Sequence, residues 1–567
     1  MLSSKMIFRA SLIALLAGTA AHAQSDLAPP APADSGVEVQ SLDALDPLEV
    51  GLQGSLFSRT LWDGSDAAMA RAALDRLPDG ASGGYSSLAT REIARLVLVA
   101  GGYPPEGGRG DEALAMSRAD RLLAAGGAHD AFDLLERTPG LDRKAGLARM
   151  HAELGFALGE TQRACDTANG LLEGRDQPYW LRARAVCSVF NGQAAAGELS
   201  AELAAAREPD AEFDRLLYAI TLEQAIEGDF PTPVSGLNYA LALAAPSTAD
   251  GEWVRPGEAA PHWLVQIHEQ RGAGDFSYSA APAADLTRAE ELSGQERHDV
   301  LISVLAQGED RLLAAAALTA LLDDAAEAGD LPGAMRRFGG EVATLPMTED
   351  TLADGYRFAL AAILNGDLRI ARRWRDALLS GPARPEASMP ALAASDFMSA
   401  GLDDKPGAET AAEPAAAEPV VEEAEWQPLP AAQLVILDMA LALAADTVDS
   451  PAMEALLAAY LEGQGVAALG DVLALERLGA PALPGVRPLL LQRETAGVPI
   501  ELMAMEAAMQ DGAVAETALL AAAALNAGED GPSAETLVRT SVALDALGLR
   551  AAMLELLLER LVARAAG

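Results

Sequence analysis

The sequence predicts an all-α protein, and three observations carry that prediction. Ala and Leu, strong helix formers, dominate a composition that is 50% hydrophobic but only 4% aromatic. Apolar residues recur at three- and four-residue spacing over most of the length, interrupted by Gly, Pro and Asp. Almost no segment shows the apolar–polar alternation of a half-buried strand. At 567 residues the chain is too long for one ordinary domain.

Residues 1–23 read as a cleavable leader. Lys5 and Arg9 form a positive start, Ala10 to Ala20 a short apolar run, and Ala21-His22-Ala23 a small-x-small cleavage site. The run is too short to span a bilayer, so cleavage after Ala23 is expected to release a soluble periplasmic or secreted protein. No membrane insertion is expected after cleavage. Residues 24–45 are Pro, Ala, Asp and Ser with little apolar pattern, the composition of a disordered arm.

Helical periodicity fills 46–228, with probable helices at 66–77, 87–100, 112–125, 144–158, 162–172, 180–191 and 212–227. From 229 to 296 the rhythm breaks into an irregular insertion or seam, rich in Pro and Gly. It carries Trp253, His262, Trp263, His268, Phe276 and Tyr278. Regular helices resume over 297–401. A Pro/Ala/Glu run from 402 to 430 reads as an extended, disordered acidic linker, and 431–567 as a C-terminal helical domain.

Several hairpins share a spacing. Gly159 precedes Ala164, Gly329 precedes Ala334, and Gly366 precedes Ala371, each Gly closing one helix and each Ala opening the next. Gly192 with Gly197 is a variant placed 33 residues after Gly159, and Pro209 follows 17 residues later. Trp180 and Trp374 partly fill the aromatic positions of such a repeat. This pattern resembles a degenerate tetratricopeptide repeat, as found in exported bacterial helical-repeat proteins. The resemblance implies a right-handed α–α superhelix with a concave partner-binding face, here in two parts joined by the linker.

Cys165 and Cys187 are the only cysteines, and in an oxidising compartment they are expected to form a disulfide. A turn near Arg175–Asp176 puts the two at nearly equal height on antiparallel helices.

Charge and motifs exclude more than they assign. The formal charge of −42 becomes −44 once Lys5 and Arg9 leave with the leader. Such a surface repels nucleic-acid phosphates and anionic membranes, and suits basic partners. Gly80-Ala-Ser82-Gly-Gly84 has the spacing of a nucleophile elbow without the strand that one requires. Gly108-Arg-Gly110 before Asp111 reads as a helix N-cap rather than a dinucleotide loop. No His pair or calcium-loop spacing appears, so neither metal nor cofactor is expected. The leading functional expectation is a non-catalytic scaffold for a periplasmic protein or peptide. Trp253, His262, Trp263 and Tyr278 are its candidate binding surface. The alternatives are an enzyme with a site in that same insertion, and a structural or solvating envelope protein without a specific ligand.

Overall fold

The computed structural model describes residues 45–52, 56–226, 232–246, 254–275, 282–307, 310–381, 427–490, 498–528 and 531–566. The leader, the arm to residue 44, linker residues 402–426, Trp253 and Tyr278 lie outside these. The described chain is helical throughout. Its nearest approach to a sheet is one isolated bridge between Asp66 and Glu106.

The first helices are α1 (Ala67–Asp75), α2 (Leu88–Leu98), α3 (Glu112–Ala124) and α4 (Ala128–Glu136). Polar caps start three of them. Asp66 accepts from the amides of Ala68 and Met69, Ser87 from Thr90, and Asp111 from Leu114. The glycine loop before Asp111 is thus an N-cap approach, as the sequence suggests. Behind these helices lies Arg118 on α3, only 1% exposed. Its guanidinium donates to the carbonyls of Leu98 (2.7 Å), Ala100 (2.8 Å) and Val50 (3.0 Å). Burial lowers its pKa to about 10. The charge answers the negative C-terminal end of α2 and ties the 47–50 segment to it.

A hairpin stack follows: α5 (Ala145–Leu158), α6 (Thr161–Gly170), α7 (Pro178–Phe190), α8 (Ala194–Ala205), α9 (Ala211–Thr221) and α10 (Gly236–Ala244). The expected Gly–Ala spacing works here as a packing device. Gly159 takes a left-handed φ of +83°, closing α5. Ala164 is fully buried, and its Cβ would lie 2.9 Å from any Cβ at Gly155, so only glycine lets α5 and α6 approach. Cys165 and Cys187 are bonded, with Cα atoms 5.5 Å apart, joining α6 to α7. From Ala148 on α5 to Leu241 on α10, this stack has its own apolar cluster, distinct from the main core.

The segment read as an irregular insertion over 229–296 is largely helical. It holds α10, α11 (His262–Asp275) and α12 (Pro282–Glu291). Pro261 and Pro282 stand at the starts of α11 and α12, where proline is tolerated, while Pro233, Pro246 and Pro256 lie in the connections. Beyond it lie α13 (Gly294–Gln307), α14 (Arg311–Glu327), α15 (Leu331–Phe338), the single turn α16 (Glu349–Leu352), α17 (Gly355–Leu364) and α18 (Leu368–Ser380).

The last group is α19 (Ala431–Ala444), α20 (Pro451–Gln464), α21 (Leu469–Arg477), α22 (Val486–Leu490), α23 (Ile500–Asp511), α24 (Val514–Asn526), α25 (Ala534–Ala546) and α26 (Arg550–Ala566). Pro451–Arg477 is apolar and long enough to cross a membrane by length and composition. A turn of 3-10 helix at Gly465–Ala468 splits it into α20 and α21. Asp471 within it is 4% exposed and is held by Arg560 (2.9 Å) and Arg564 (2.8 Å) of α26.

The boundary at 402–430 does not separate two bodies. Residues 45–567 form one compact unit, and helices from both sides of the boundary share the main core. Helix α24 packs on α1 and α2, and α26 on α2, α15 and α19. In a pure solenoid each repeat meets only its neighbours. Contacts between α2 and α24 or α26 depart from that rule and close the end of the chain onto its beginning. Composition makes this possible: every residue from Ala515 to Leu525 of α24 is buried, and its many alanines admit close neighbours on all sides.

Candidate functional site

Of the four aromatic and histidine residues proposed as a surface, His262 and Trp263 are described, side by side in the first turn of α11. The backbone N–H of His262 donates to the carbonyl of Ala81 (2.8 Å), and that of Trp263 to Gly80 (3.2 Å). The imidazole lies against Gly83, where an added Cβ would sit 2.1 Å from His262 Cδ2. Its Nε2 is 2.9 Å from Gln266 Nε2. Trp263 packs against the main core. His268, one and a half turns further, meets the Tyr239 hydroxyl at 3.1 Å, and burial lowers its pKa. These contacts seat α11 on the loop before α2. They leave His262 committed to packing.

That loop is the Gly80–Gly84 segment with nucleophile-elbow spacing, and its surroundings explain it otherwise. Asp79 accepts from the Ser82 amide (2.7 Å) in a tight turn. Asn526 from α24 then pairs with the loop twice, accepting from the Ser86 amide (2.8 Å) and donating to the Gly84 carbonyl (3.0 Å). Glu559 from α26 accepts from the Ser87 hydroxyl and from the Ala89 amide (3.0 Å), and pairs with Arg336 of α15 (2.9 Å). The Asp79 carboxylate also holds the Ser82 side chain, so the segment is a joint between α2, α11, α24 and α26, and no described strand leads into Ser82.

The buried carboxylates are spent in the same way. Glu516 of α24 accepts from the Ser65 hydroxyl at 2.9 Å. Glu153 of α5 caps α10, accepting from the Gly236 amide at 2.6 Å. Burial raises the pKa of Glu516, Glu153 and Glu559 above the ordinary glutamate value. Each is separately bound to helix-start donors, so they do not form a general acid–base pair. His151 is stacked on Phe132 with centroids 4.3 Å apart, and its Nδ1 is 2.9 Å from the Thr167 hydroxyl. Burial lowers its pKa to about 4. Among the described residues no group of three or more His, Cys, Asp or Glu is placed to hold a metal ion.

What remains open is surface. Helix α8 packs chiefly on α7: Gly197, Ala201 and Ala204 face inward, while Leu199 and Leu203, one turn apart, are 59% and 52% exposed. Gly197 fixes this closeness, since a Cβ there would lie 2.6 Å from Val189 Cγ2. Two cavities are also present. One of about 630 Å³ lies beside α17 and the 427–430 segment, lined by Asp323, Asp354, Tyr356 and Arg357 among others. The other, about 660 Å³, lies between α20 and the 483–489 segment. Sequence reading placed a helix after Gly192 but missed the open face of α8 and this cleft, because the inward faces there are mostly Ala and Gly and give little periodic contrast. No protein-family model, no curated protein and no solved structure matches this chain.

Proposed function

We propose that the protein is a non-catalytic helical scaffold that binds a protein or peptide partner in the cell envelope. The leader pattern at 1–23 supports export, and the Cys165–Cys187 disulfide is compatible with an oxidising compartment. The observation that carries the binding role is the outer face of α8. Leu199 and Leu203 lie one turn apart on that face, an exposed apolar strip that a partner would cover. The catalytic alternative, a site in the 253–278 insertion, draws no support from His262, which is engaged in packing.

Photo-crosslinking in the native cell tests this reading. A photoreactive residue at position 203 is expected to trap a discrete envelope protein, and L199E/L203E is expected to abolish capture of that protein without lowering the melting temperature. Diffuse labelling, or capture indifferent to the double substitution, removes the scaffold reading.

A further inference from the structure

We propose that the cleft between α20 and the 483–489 segment takes a cationic protein segment: one apolar anchor residue flanked by two basic side chains. The inference rests on the scaffold reading only in taking the occupant to be a protein.

The floor of the cleft is apolar. Ala455, Ala458 and Leu461 contribute from α20, and Leu483, Pro484 and Leu489 from the facing segment. Ala455 and Ala458 are exposed and carry only methyl groups, so the floor is accessible along that stretch of α20. A volume of about 660 Å³ is within the range of sites that enclose a ligand's side chains. Among the described side chains that line the cleft, the charged ones are acidic. Glu454 and Glu462 line it, both exposed, and neither pairs with a base among the described residues. They stand eight residues apart on one helix, which is about 12 Å along the axis. Helical rotation keeps both on the same side as Ala458 and Leu461.

Apolar floor and paired acidic rim define the occupant. An apolar side chain fills the space above Ala458 and removes its surface from water. Basic groups spaced about 12 Å apart meet Glu454 and Glu462 with complementary charge. A second copy of this chain is a poor occupant, because it carries the same net charge of −42 and repels the rim.

The test uses fluorescently labelled synthetic peptides and the purified protein, read by anisotropy at two salt concentrations. The probe is a capped peptide with a central Leu between two Arg residues. One control replaces both Arg by Glu, and another replaces Leu by Ser. The Arg–Leu–Arg probe is expected to bind, and A458W, which fills the cleft, to weaken it at least about tenfold. E454Q/E462Q is expected to weaken it comparably and to flatten its salt dependence. A455L serves as a second filling variant should A458W fold poorly. Equal binding of the Ser control, or full binding by both filled variants, shows only attraction to a negative surface and overturns the proposal. A dimer in light scattering that A458W dissociates also overturns it, since the occupant is then a second copy. The scaffold reading fails or stands separately. Capture of the same envelope partner by wild type and A458W alike removes the cleft from that interaction, and a lack of capture through α8 removes the scaffold.

Discussion

The stack α5–α10 and the closure made by α24 and α26 are both helix-on-helix packing, yet they are held in opposite ways. The stack joins mainly neighbours in sequence, with α10 returning to α5 through the Glu153 cap, has its own apolar cluster, and is pinned by a disulfide spanning 22 positions. The closure joins residues more than 400 positions apart through buried carboxylates and backbone contact. Local contacts in the stack need little loop closure, while the closure must order the intervening chain before it gains anything. The stack should therefore be autonomous in structure, and the closure cooperative with the whole.

The most severe test is to cut the chain between the two. Proteolysis within 402–430 is expected to leave the fragments together as one species in gel filtration under native conditions. The shared core and the Ser65–Glu516, Arg76–Glu501 and Ser87–Glu559 contacts all bridge the cut. Separation into two folded fragments would show that the closure is too weak to define one body.

Removing the disulfide is next in size. C165S/C187S is expected to lower stability by about 3 kcal/mol in the loop-entropy picture. The loss should appear in α6 and α7 by hydrogen exchange, with α26 little changed. Uniform loss of protection would mean the stack is not a separate unit.

Within the closure, E559A removes the acceptor for α2's first turn and one of the two carboxylates paired with Arg336, the other being Glu555. About 2 kcal/mol of stability should be lost, measured by denaturant unfolding. G64A belongs beside it. Gly64 has φ +83°, and a Cβ there would lie 2.6 Å from the Asp511 carbonyl, so the added methyl pushes α23 away. Retained stability in both variants would show that this contact is incidental.

These two regions also differ in how far they could be read in advance. Helix content was legible because Ala and Leu periodicity is local. The Cys165–Cys187 bond was legible from compartment and spacing together. The repeat glycines were legible because a left-handed turn needs them, as Gly159 shows. Nothing local announced the closure: Glu516 and Glu559 look like any solvated acid until the donors they meet are known. The insertion misled for a related reason. Its prolines suggested loop, but two of them, Pro261 and Pro282, stand at the starts of α11 and α12, where the missing N–H is harmless. Of the proposed aromatic surface, His262 serves as a wedge against Gly83 and Trp263 packs on the core, while Trp253 and Tyr278 lie outside the described residues. The open face of α8 and the α20 cleft escaped notice because alanine faces carry little hydrophobic contrast.

The smallest expected effect is one of pH, and it gives the two regions different signs. Glu559 and Glu516 have raised carboxyl pKa values in the folded protein because burial penalises their charge. The folded state then holds the proton more tightly than the unfolded one. Their contribution is complete below the unfolded carboxyl value and is lost as pH rises through the raised folded value. His151 is the reverse: burial lowers its pKa from 6.5 to about 4. Its contribution is present above 6.5 and is lost as pH falls towards about 4. A single proton changes stability by at most about 1.4 kcal/mol per pH unit. Glu153 lies in the same stack as His151 but has a raised pKa, so the variants must be compared one residue at a time. Stability should be measured by urea unfolding from pH 4 to 7 for wild type, E559Q and H151Q. The wild-type advantage over E559Q is expected to shrink as pH rises, and its advantage over H151Q to shrink as pH falls. Parallel curves for wild type and E559Q would mean that Glu559 keeps an ordinary proton affinity in the closure. Its burial between α2 and α26 would then not be what governs the acid response of that end of the molecule.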